Sequence, residues 1–204
     1  MSDSNKQKAF DNFFRGLDFH INDVSEGKIL ISEPFLEDPN FSRSVVFLVK
    51  HSIEDGSFGF VINQVSEFTI NDALEDFPEF DAPIAIGGPV GNQSLFFLHT
   101  RNDIISGGTE VSKGLFWGGD FKDVKMAAEL GAISKKEILF FIGYSGWEAG
   151  QLEIELKDKS WIVTDITTEE IMNMDRSSLW DNKLQTMGKN FKLLSTFTAD
   201  PSMN

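Results

Sequence analysis

Cysteine is absent from this chain, so neither a disulfide framework nor a thiolate metal site can hold it together or do its chemistry. Histidine is scarce. His20, His51 and His99 stand far apart, with no H-x-H, H-x-x-x-H or H-E-x-x-H spacing. The carboxylates form no D-x-D-x-D-G loop, so no metal site and no cofactor is expected. Long apolar runs are missing as well. The longest, at 45–49 and 138–142, reach about five residues, where a membrane-spanning helix needs about 20. The first eight residues (MSDSNKQK) are polar and lack the apolar stretch of a secretory signal. A cytoplasmic location away from membranes is the expectation.

Positive charge is also in short supply. Lysine and arginine total 18 against 32 acidic residues, a formal charge of −14. Such a surface repels nucleic-acid phosphates unless its bases segregate to one face. Direct nucleic-acid binding is therefore not expected, while basic partners and cations are permitted. Proline numbers only 6, and there is no internal repeat or low-complexity linker, so nothing divides the main body of the 204 residues.

Aromatic residues are plentiful: 20 Phe and 4 Trp supply enough apolar area for a packed core, which argues against disorder. Phe10, Phe13, Phe14 and Leu17 recur at i, i+3, i+4 and i+7, marking residues 1–26 as an N-terminal amphipathic helical extension. Residues 27–190 read as one domain and 191–204 as a C-terminal tail. Within the domain, strands are expected at 28–31, 45–51, 58–63, 84–86, 95–100 and 137–144, with Asp55-Gly56 as a hairpin turn. The alternation of 152–156 and the β-prone 161–165 suggest a second hairpin. Thr69 with Asp72, Asp120, Thr167 with Glu170, and Ser178 with Asp181 open helices. Strands and helices intersperse without regular βαβ alternation, which points to an α+β fold.

Four stretches invite a chemical reading. Residues 143–147 (GYSGW) follow an apolar strand, as a nucleophile elbow does, but Trp147 stands where the elbow needs a small residue. All three histidines precede Ser145, whereas hydrolase order puts the base last, so a turn after a central strand is expected here. Residues 87–91 (GGPVG) lack the lysine and Ser/Thr of a phosphate loop. Gly118-Gly119 precede a helix whose positive end Asp120 and Asp123 already occupy. The Asp175–Ser177 link spaces the last two helices somewhat like a helix–turn–helix, yet the second helix offers only Lys183 against Asp181. His51 and His99 are expected at strand ends, hydrogen-bonded.

Taken together, four segments resemble the YqgE/AlgH family of bacterial proteins. They are 27–34 (GKILISEP) with 41–45 (FSRSV), then 59–63 (GFVIN), 87–90 (GGPV), and 143–147 continued by 150–153 (GQLE), with Trp161 and Leu179-Trp180 downstream. The resemblance covers roughly 27–188. It implies a branched mixed β-sheet that includes a small closed barrel, surrounded by helices. It implies little biochemistry: members are labelled transcriptional regulators after a genetic link to alginate control, with no agreed reaction or ligand. Where this chain has Ser145 the family commonly has alanine, which weakens a nucleophile there. If 87–90 and 144–151 converge, then Gly87, Gly88, Pro89, Tyr144, Ser145, Gly146, Trp147 and Gln151 line a polar notch with Asn63. The alternative is a buried structural knot. The expected function is non-enzymatic binding or regulation, through a protein partner or a small ligand and without direct DNA contact. A hydrolase using Ser145 and a direct DNA-binding regulator remain as alternatives.

Overall fold

The computed structural model describes residues 17, 19–20, 23–172 and 175–195. The helix expected on Phe10, Phe13 and Phe14 lies outside these residues. Next to it, the Phe19 carbonyl accepts the Val163 N–H at 2.9 Å and its buried ring packs edge-on to Phe191, so this part of the extension docks on the body.

Ten strands of the described residues form the body: β1 (Ile29–Ser32), β2 (Val45–Ser52), β3 (Gly56–Val61), β4 (Val65–Thr69), β5 (Pro83–Ile86), β6 (Val90–His99), β7 (Thr109–Ser112), β8 (Leu115–Trp117), β9 (Ile138–Trp147) and β10 (Trp161–Thr164). Among the described residues six helices surround them: α1 (Ile70–Ala73), α2 (Phe121–Glu129), α3 (Gln151–Lys157), α4 (Thr168–Met172), α5 (Leu179–Thr186) and α6 (Lys189–Ser195). The result is the α+β class the sequence suggests.

The main path runs β10-β1-β2-β3-β9-β6-β8-β7, and the β4–β5 pair branches from it. β9 is the branch point. Its 138–142 stretch pairs antiparallel with β6 and its 140–142 stretch pairs parallel with β5, while 145–147 pair antiparallel with β3. The Val61 N–H donates to the Gly87 carbonyl at 2.8 Å, so β3 and the end of β5 follow one another along one edge of β9. Gly143 sits where the partner changes. Its φ is +70°, and a Cβ there would stand 2.6 Å from the Gly88 carbonyl oxygen, so the handover needs a residue without one.

Side-chain alternation divides the core. Phe47, Phe60, Leu139 and Phe141 face one cluster, with Trp180 and Leu184 of α5. Val46, Leu48 and Val61 face the other way, onto Leu152 and Leu156 of α3. Ile138, Phe140 and Ile84 face Val124 and Ala127 of α2. A strand whose two faces are both covered must be apolar throughout, which explains the run at the start of β9.

Several expectations are corrected. The closed barrel is not formed: β10 and β7 end the strand path and do not pair with each other among the described residues. The fork at β9 carries β4 and β5 out of the path instead of round it. Residues 152–156 are not a strand but lie within α3. Leu152 and Leu156, four apart, are buried on one helical face, and Ile154 between them is 61% exposed. Residues 143–147 are not a turn but the second half of β9, with Ser57↔Trp147 in register. Ser178 makes no capping hydrogen bond, whereas the Thr167 N–H donates to Glu170 at 2.8 Å and Asp120 accepts the Lys122 N–H at 2.8 Å. α6 runs across the boundary expected at residue 190.

Candidate functional site

The two glycine-bearing segments do meet. Gly87 and Gly88 are buried against β9, and Pro89 stands exposed beside them. At Gly88 φ is +149°, and an added Cβ would lie 2.4 Å from the Tyr144 carbonyl, so only glycine allows this approach. The Gly87 N–H donates to the Ile142 carbonyl at 2.9 Å. The Gly87 carbonyl accepts both the Val61 N–H and the Ser145 hydroxyl, the latter at 3.0 Å. Ser145 is fully buried and spends its hydroxyl on that carbonyl. Asn63 is occupied too: its Oδ1 accepts the Val45 N–H at 2.8 Å and its Nδ2 donates to the Arg43 carbonyl at 2.9 Å. These residues tie the sheet together at its fork.

The other members of the expected group face a cleft of about 960 Å³. Tyr144, Gly146, Trp147 and Gln151 line it. They share it with residues that sequence reasoning did not select: Lys50 and Phe58 of the β2–β3 hairpin, Val90 and Phe96 of β6, and Trp117 of β8. Phe58 stands 5.0 Å from Trp117 and 6.1 Å from Tyr144 between ring centroids, and Phe96 stands 5.7 Å from Tyr144. All three contacts are edge-to-face, with interplanar angles of 62°, 83° and 75°. These four rings are half-buried. Asp55 and Glu148 stand exposed at the rim. Strand separation of more than 20 residues hid this grouping; the one available signal was the β2–β3 pairing, which places Lys50 opposite Phe58.

Beside the cleft, Glu155 of α3 holds two tryptophans. Its Oε2 accepts the Trp147 indole N–H at 2.8 Å and the Trp161 indole N–H at 2.7 Å, while its Oε1 accepts from Gln151 at 2.9 Å. The rings of Trp147 and Trp161 meet edge-on at 5.9 Å. This carboxylate fixes the wall from which Trp147 and Gln151 reach the cleft.

His51 and His99 sit at strand ends, as expected. His99 is fully buried, with Nε2 3.0 Å from the Gly118 carbonyl and Nδ1 accepting the Arg101 N–H at 3.2 Å. Burial lowers its pKa against the opposing pull of the Gly118 carbonyl, and this partner set fits the neutral ring protonated on Nε2. His51 pairs across the hairpin with Ser57, Nδ1 to Oγ 2.8 Å, and its Nε2 lies 3.7 Å from Glu153 Oε1. The order serine–histidine–carboxylate invites comparison with a catalytic relay. The outer distance exceeds a hydrogen bond, so the carboxylate does not orient the imidazole as a relay requires. Among the described residues no group of three or more metal-ligating side chains gathers, and no helix is long and apolar enough to cross a membrane. In the Asp175–Ser177 link, Arg176 is buried and its Nε donates to the Ile62 carbonyl at 2.9 Å.

Comparison with known proteins gives consistent matches. The model of a family described as AlgH-like matches residues 29–192. A UPF0301 protein of Cytophaga hutchinsonii is 43% identical over 183 residues, covering 89% of this chain and 100% of that protein. A UPF0301 protein of Bacteroides fragilis is 42% identical over 181 residues, covering 88% and 91%. Among solved structures, the AlgH protein from Pseudomonas aeruginosa is similar at a TM-score of 0.67 and 30% identity, over 85% of this chain and 94% of that one. A protein from Corynebacterium diphtheriae shares the fold at a TM-score of 0.70 and 20% identity, over 89% and 100%.

Proposed function

The chain belongs to the AlgH-like family, and from that premise we propose that it is a non-enzymatic binding or regulatory protein of the cytoplasm whose ligand or protein partner seats in the aromatic cleft. Regulation of transcription, which the resemblance suggests, would then be indirect. The observation that carries this reading is the cleft itself. Its volume of about 960 Å³ falls at the upper end of the roughly 300–1,000 Å³ typical of ligand pockets. Four half-buried aromatic side chains converge there with a few polar groups, the composition expected of a recognition site. The hydrolase alternative gains no support, because the Ser145 hydroxyl is buried and committed to Gly87. Direct DNA binding is opposed by the charge of −14 and by the burial of Arg176 in the helix–turn–helix-like link.

Amide chemical-shift mapping against a small-molecule library and candidate partner proteins tests the proposal. The expected result is perturbation clustered at Phe58, Phe96, Trp117 and Tyr144, abolished by Phe96→Ala in a folded variant. Binders that map consistently to another face would refute it.

A further inference from the structure

The cleft's hydrogen-bonding groups point to a class of ligand. Three of the four tryptophans spend their indole N–H inside the protein: Trp147 and Trp161 on Glu155, and Trp180 on the Ser32 carbonyl. Trp117 differs. It is half-buried and lines the cleft, yet its N–H meets no acceptor among the described residues, and the atom is not sealed from solvent. The chain's single tyrosine, Tyr144, shares that condition: its ring is packed by Phe58 and Phe96, and its hydroxyl has no partner among the described residues. Lys50 lies on the same cleft and makes no ion pair among the described residues, in a chain with 32 acidic side chains.

An indole N–H and an ammonium can only donate, and a phenol has one proton to give. The Gln151 amide is used at both ends: its Oε1 accepts the Glu148 N–H and its Nε2 donates to Glu155. Inside the rim carboxylates of Asp55 and Glu148, the unspent groups of the cleft are two pure donors and a phenol able to donate, set among aromatic rings. We propose that the cleft selects a small, planar, ring-bearing molecule with a single carboxylate, received by Lys50, Trp117 and Tyr144. This rests on the cleft reading above. The ring lies against Phe58 and Phe96, and the carboxylate accepts charge-assisted hydrogen bonds from the donors. A polyanion such as a nucleotide or a nucleic-acid backbone is rejected by Asp55 and Glu148. A cationic ring compound is repelled by Lys50 and offers no acceptor to the Trp117 N–H, so it can pair only with the carboxylates at the rim.

A matched set tests this: indole-3-acetate, indole-3-acetamide and tryptamine, which share a ring and differ in the charge of the side chain. Each is titrated into the full chain with labelled tryptophan, and the Trp117 indole N–H signal is followed. The acid should bind at least about tenfold tighter than tryptamine, with the amide between. Lys50→Gln, at an exposed position, should erase about tenfold of the acid's affinity and leave the amide's unchanged. Trp117→Phe keeps a ring but no N–H and should weaken the acid more than tryptamine. If tryptamine binds as tightly as the acid at Trp117, the carboxylate inference falls and the cleft reading stands. If no member of the set moves the Trp117 signal at about 10 mM, the carboxylate inference falls, and the cleft reading is decided by the chemical-shift mapping above.

Discussion

Glu33 should make this protein less stable as the pH rises toward neutrality, the opposite of what a carboxylate usually does. It follows β1 and is 7% exposed. Its Oε2 accepts the Phe35 N–H at 2.9 Å, and its own N–H donates to the Ser160 carbonyl. Burial, reinforced by the nearby Glu37, pushes its pKa from 4.5 up to about 7 in spite of the Phe35 N–H. Below pH 4.5 the carboxyl is protonated whether the chain is folded or not, and the site costs nothing. Between 4.5 and about 7 the unfolded chain releases the proton while the folded one keeps it, so ionisation favours unfolding. Above about 7 the folded state carries the full penalty of a buried charge, about 3 kcal/mol. Glu33→Gln retains an acceptor for Phe35 and cannot ionise. Urea unfolding of both proteins from pH 5 to 8 reads the difference, with the slope m checked for constancy. The variant's advantage should grow by about 2.5 kcal/mol across that range, and any fixed effect of the amide cancels. A difference that stays level with pH, or that moves in favour of the parent chain, refutes the reasoning.

Other substitutions probe the site and its supports. Glu155→Ala strips the acceptor from two indole N–H groups and should cost about 2–4 kcal/mol in chemical denaturation; a loss below about 0.5 kcal/mol would mean that water replaces the carboxylate freely. Gly88→Ala drives a methyl into the Tyr144 carbonyl and should lose about 2–4 kcal/mol, read as a fall in midpoint. Ser145→Ala should cost only about 1 kcal/mol, because the Gly87 carbonyl keeps the Val61 N–H. In α3, Leu152→Ala should cost about 2–5 kcal/mol and Ile154→Ala at most about 0.5. Equal losses would fit a strand instead of the helix.

Much of the framework was legible because local signals and tertiary demands agreed. β2 and β3 follow from an apolar run, an Asp-Gly turn and a returning run, and α2 from Asp120 and the spacing of Val124, Ala127 and Ala128. Where two periods fit the same letters, tertiary packing decided. Leu-Glu-Ile-Glu-Leu alternates like a strand, yet Leu152 and Leu156 also satisfy helical spacing, and that pair is what α3 buries against the sheet. Residues 143–147 looked like a turn because of their glycines, which instead let one strand pass from β5 to β3. β4, β7 and β8 were missed: β4 and β7 have no buried residue and β8 has only three residues, so none bears a strong hydrophobic period. The sequence leaves open whether the glycine segments line a notch or form a buried knot, and their contact is a tie within the sheet. The cleft escaped notice because Phe58, Phe96, Trp117 and Tyr144 come from four strands and share no motif.

β9 binds β6 along one edge and both β5 and β3 along the other. Separating the β10-to-β3 side of the strand path from the β6-to-β7 side at its middle therefore means stripping this shared strand. Its amide protons should be the last to exchange with solvent, released only by unfolding of the whole chain, and a cut or loosened β9 would be felt at once under α2, α3 and α5.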